Sequence, residues 1–68
     1  MRFEVELERE EDGRWIADVP DLPGVMVYGA TKEEALRAVE ALALRVLADR
    51  LEHGELDADL ITVSFEAA

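Results

Sequence analysis

Apolar and charged side chains alternate from Arg2 to Glu8, with Phe3, Val5 and Leu7 on one side and Arg2, Glu4, Glu6 and Glu8 on the other. A period of two predicts a strand with one buried face. A second alternating run, Arg14 to Val19, sets Trp15, Ala17 and Val19 together and Ile16 opposite. Between the runs lies Glu10-Glu11-Asp12-Gly13, and Asp-Gly between two alternating segments is a strong hairpin signal. Pro20 cannot donate to a ladder and stops the second strand. Asp21-Leu22-Pro23-Gly24 then predicts a rigid turn, since proline presets its φ and glycine accepts a positive one. Val25 to Tyr28 makes a short third strand that Gly29 ends.

The period changes at Thr31-Lys32-Glu33-Glu34, which reads as a capping box. The Thr31 hydroxyl can accept from the Glu34 N–H, and the Glu34 carboxylate can reach back to the N–H of Thr31. Glu33 and Glu34 also suit the positive end of a helix dipole. The helix should run to about His53 and stop at Gly54, with His53 a solvated charge complement at its end. Leu36, Val39, Leu42, Ala43, Val46 and Leu47 form the expected core stripe. Leu44 and Leu51 lie beside it, so that the apolar arc comes to roughly 200°. Either small alanines and edge leucines are tolerated there, or the helix touches a second subunit.

A final strand follows Glu55-Leu56-Asp57-Ala58-Asp59, with Ile61, Val63 and Phe65 on one face and Thr62 and Ser64 on the other. The order is β-β-β-α-β, an α+β fold in a single domain over residues 1–68. A right-handed helical crossover places the fourth strand parallel to the first, giving a four-stranded, mostly antiparallel sheet with one helix on one face. The opposite face stays bare and carries Ile16 and Met26 or Tyr28. Two edges stay open as well, and both features point to self-association as a dimer or tetramer.

Composition narrows the function classes. Half of the 68 residues are apolar, too many for a disordered acidic tail. A core this small is marginal, because such a chain buries only about 60% of its unfolded surface. With no cysteine and one histidine, disulfides and metal staples give way to oligomerisation as the expected support. No apolar run approaches the length of a membrane span, and the start lacks the apolar block of a signal peptide, so a cytoplasmic protein is expected. Seventeen acidic and seven basic residues give a formal charge of −10. That field repels a phosphate backbone, which argues against direct nucleic-acid binding. The acid either keeps the protein soluble or complements a basic partner.

The stretch from Glu11 to Gly24, EDGRWIADVPDLPG, continues through Gly29, Thr31 and Glu33-Glu34-Ala35-Leu36. It resembles the HicB antitoxin family and its small relatives in residue type, order and spacing, over nearly the whole chain. The resemblance implies a partial ribonuclease-H-like fold and homo-oligomers. In complete antitoxins it implies a domain that covers a small basic ribonuclease, the HicA toxin, and a separate C-terminal DNA-binding domain. Two departures matter: no such DNA-binding domain is expected in these 68 residues, and Val25 stands where the family often has cysteine or a similar small residue.

A ribonuclease-H-like fold invites a metal-dependent nuclease, which needs carboxylates converging on ions about 3.5–4 Å apart. Glu4, Glu6, Asp18, Asp21 and Asp49 qualify by residue type. Strand alternation, turn chemistry and the polar side of the helix account for them equally well. Ser64, the only serine, has no histidine placed to activate it, and Gly24 and Gly29 do not form a phosphate loop. Neither a catalytic residue nor a cofactor is expected.

The reading that emerges is a HicB-like protein-binding module that neutralises a small basic HicA-type toxin by occlusion. An oligomeric module with no toxin partner is the alternative, and the nuclease stands third. Trp15, Asp18, Asp21, Leu22, Pro23, Tyr28, Leu44 and Leu51 are the candidate partner or oligomer contacts. Trp15 fits a core position as well as an interface, and Tyr28 fits an edge cap as well as an anchor.

Overall fold

A computed structural model describes residues 1–57 and 62–67. Among these residues four strands and one helix occur in the order β1 (Arg2–Arg9), β2 (Trp15–Asp18), β3 (Met26–Gly29), α1 (Lys32–Glu52) and β4 (Ser64–Ala67). The sheet runs β3-β2-β1-β4. β1 and β2 pair antiparallel, as do β2 and β3, while β4 lies parallel to β1 with Arg2 beside Ser64. This is the α+β arrangement and the crossover that the sequence pattern predicts. Ile61, expected in the last strand, falls outside the described residues.

One face of the sheet is sealed by α1. Phe3 and Val5 of β1, Ala17 of β2, and the flanking Val19, Leu22 and Val25 are buried against Ala35, Val39, Ala43 and Leu47 of the helix. The helix buries a narrower stripe than its composition suggests. Leu36, Leu42 and Val46 pack only at its margins, half-exposed. Small side chains at residues 35 and 43 let the helix axis lie close to the sheet, and Gly29 extends that approach to β3. A Cβ on Gly29 would fall 2.5 Å from the backbone nitrogen of Ala35, well inside van der Waals contact.

The hairpin loop closes through Glu10 N–H to Arg14 O at 2.7 Å and Gly13 N–H to Glu10 O at 3.0 Å. At the other end of β2 the chain makes two turns in succession. Leu22 N–H donates to Val19 O at 2.9 Å, and Val25 N–H donates to Leu22 O at 3.0 Å. A proline occupies the second position of each turn, where its fixed φ costs nothing. Gly24, at the third position of the second turn, has φ +84°, a value that type II geometry requires there.

Thr31 caps α1 in an extended conformation, its hydroxyl accepting from Glu34 N–H at 3.1 Å. The return bond differs from expectation. Glu34 Oε2 accepts from the N–H of Ala30 at 3.1 Å rather than from Thr31, because the extended cap residue turns the preceding N–H back over the first turn. The helix ends as predicted, with His53 at the C-cap and Gly54 beyond it.

Candidate functional site

The face of the sheet that α1 leaves bare is built by strand alternation. Cross-strand partners share a face, so Glu8, Ile16 and Tyr28 form one row and Glu6, Asp18 and Met26 the next. Glu4 and Glu66 are parallel partners toward the β4 edge. The result is a divided surface. An apolar corner lies along the open β3 edge, where Met26 is 50% and Tyr28 47% exposed, with Ile16 half-buried beside them. Carboxylates dominate the remainder, with Arg2 and Ser64 at the β1–β4 end.

Both arginines of this face are already engaged. Arg2 pairs with Glu66. Arg14 binds Asp12 twice, through its backbone N–H at 3.0 Å and its Nε at 2.7 Å, and its guanidinium carbon stands 4.5 Å from the centre of the Tyr28 ring. The Arg14 backbone N–H and guanidinium together hold the Asp12 carboxyl below its ordinary value of 3.8. Among the described residues no ion pair engages Glu4, Glu6, Glu8 or Asp18. The uncompensated charge of the face is therefore entirely negative.

The candidate contacts separate into groups. Asp18 and Tyr28 lie on this divided face. Asp21 and Pro23 are exposed on the double turn. Leu44 and Leu51, 50% and 40% exposed, lie on the helix, away from the sheet. Trp15 is half-buried on the helix side against the core, with Lys32 Nζ 5.9 Å from its ring centre. Leu22 is a correction, since it is only 2% exposed and belongs to the core. As the last residue of one turn and the first of the next, it points inward while both prolines point out. Met26, Glu8 and Glu66 also belong to the face; alternation places Met26 and Glu8 there, but none of the three is among the candidate contacts. The Asp18–Met26 and Glu4–Glu66 partnerships depend on strand register.

The carboxylates weighed for metal chemistry are dispersed. Glu4, Glu6 and Asp18 lie on the bare face, Asp21 on the turn, and Asp49 on the helix, where its carbonyl oxygen is 2.7 Å from His53 Nδ1. Among the described residues no three acidic or imidazole groups come together as a metal site. Among the described residues no helix is long and apolar enough to cross a membrane.

Over 55 residues the chain is 33% identical to the UPF0150 protein Ta0767 of Thermoplasma acidophilum, covering 81% of this chain and 80% of that protein. The chain belongs to the UPF0150 family. For this UPF0150 chain no family model matches, and no solved structure matches.

Proposed function

We propose that this UPF0150 protein is a HicB-like, antitoxin-type binding module that neutralises a small basic HicA-type ribonuclease by covering it. The observation that carries the proposal is the divided face: the exposed Met26 and Tyr28 at its open edge, flanked on the inner side by Glu4, Glu6, Glu8 and Asp18, which have no ion pair among the described residues. An apolar anchor at an open sheet edge supplies affinity, and the adjoining acidic field steers and orients a cationic partner. A nuclease whose basic surface holds RNA offers that complement, and occlusion of the surface blocks substrate without any chemistry by the module. The same field excludes RNA or DNA from the module itself.

The test pairs the protein with the product of a neighbouring reading frame for a short, basic, histidine-containing protein. The expected result is a stoichiometric complex that suppresses RNA cleavage and weakens steeply with salt. Reversing charge at Glu4, Glu6 and Glu8 to lysine should abolish it. If no basic partner binds and salt alters no interaction, the protein is instead an oligomeric module without a toxin.

A further inference from the structure

A second exposed apolar surface lies on α1, and its spacing differs from that of the core stripe. Arg37, Ala41, Leu44, Ala48 and Leu51 recur at alternating intervals of four and three, the 3.5-residue seam by which one helix packs along another. Leu44, Ala48 and Leu51 are exposed and Ala41 is half-buried. A shallow groove bordered by Glu33, Leu36, Arg37, Glu40, Ala41 and Leu44 continues the seam toward the helix N-terminus. Apart from Leu36, which packs at the core's margin, the core does not use these residues; it is served by Ala35, Val39, Ala43 and Leu47.

We infer that this seam is the interface between two copies of the chain, with the two α1 helices packed antiparallel. Size complementarity sets the direction. In antiparallel packing each leucine meets an alanine, Leu44 against Ala48 of the copy and Ala41 against Leu51. Parallel packing would set leucine on leucine and alanine on alanine, alternately crowded and hollow. The antiparallel register also carries Arg37 to the foot of the other helix, where Glu52 and Glu55 lie. Symmetry makes that charge pairing twice. Opposed helix dipoles favour the same direction.

Charge decides between the two exposed apolar surfaces. Face to face, two copies of the bare sheet would oppose Glu4, Glu6 and Glu8 with themselves, a like-charge contact. The helix seam has both signs at its margins: the register that opposes Arg37 to acid sets only Glu40 near a like charge, Glu52, where the sheet would oppose three carboxylates. Self-pairing through α1 therefore leaves the sheet face free. The inference stands independently of what that face binds.

The full chain at sub-millimolar concentration should sediment with twice the mass of one chain. Leu44→Glu with Leu51→Glu should halve that mass while leaving the circular dichroism of the monomer intact, because both side chains are already half in water. Met26→Glu with Tyr28→Glu should leave the dimer unchanged. The absence of native cysteine permits a second test that needs no disruption. A mixture of Ala41→Cys and Leu51→Cys chains should oxidise mainly to the mixed disulfide. Parallel helices would hold these positions about 15 Å apart along the axis. A monomeric wild-type chain, a dimer lost only in the sheet-face variant, or preferential like-with-like disulfides would each overturn the interface.

Discussion

Arg14 lies between two groups of different kind, its guanidinium carbon 4.5 Å from the centre of the Tyr28 ring and its Nε 2.7 Å from Asp12 Oδ2. One side chain thus ties the β1–β2 loop to the edge strand β3. The anionic partner is the titratable one. Asp12 is held below its ordinary value of 3.8, first by the Arg14 backbone N–H and then by its side chain. A lowered folded-state value means that the ionised carboxylate stabilises the fold fully above 3.8, and that this contribution fades as pH falls through the lower value. No change is expected near neutrality. Carboxyl NMR should show Asp12 titrating below 3.8, and Asp12→Asn should narrow the acid-induced loss of stability. A midpoint at or above 3.8 would remove the basis for this loop tie.

Gly29→Ala should destabilise the protein by about 1–3 kcal/mol, the range for overpacking a filled site. The obstacle is backbone, Ala35 N at 2.5 Å from the added methyl, and backbone cannot rotate aside. Urea unfolding measures the loss. An unchanged midpoint would show that α1 slides freely over β3.

Thr31→Ala should cost about 1 kcal/mol, the usual value for a lost N-cap acceptor, whereas Thr31→Ser should be near neutral. Loss of the Glu34 carboxylate should expose the N–H of Ala30 to solvent exchange, since Oε2 is its acceptor. Amide exchange at residue 30 that is unaffected by Glu34→Ala would contradict the bond.

Leu22→Ala should cost about 2–5 kcal/mol as a buried leucine truncation. Pro23→Ala, at an exposed neighbouring position, should cost no more than about 1 kcal/mol, mostly through the unfolded chain. Equal effects from the two substitutions would place Leu22 at the surface. Partner binding measured on folded Leu22→Ala protein should match wild type.

Much of this fold is written in short-range chemistry. The alternation of β1, the Asp-Gly hairpin, the Thr31 cap and the Gly54 stop each need only neighbouring residues, and each stands where the pattern places it. Leu22 shows where that reasoning ends. A residue between two prolines reads as surface turn, and only the pairing of two consecutive turns reveals that it points inward. The divided face was legible in part: Glu4, Glu6 and Ile16 follow from alternation within one strand. That Met26 lies beside Asp18, and Glu66 beside Glu4, depends on registers between segments far apart in the chain.

The parallel pairing of β1 with β4 joins Arg2 to Glu66, 64 positions later. During synthesis the meander of β1, β2 and β3 and its covering helix can assemble while β1 still shows a naked border. That border is filled last, by a strand of only four residues. In amide exchange the same strand should open before the β1–β2 ladder, so that maturation and wear of the molecule both occur at one seam.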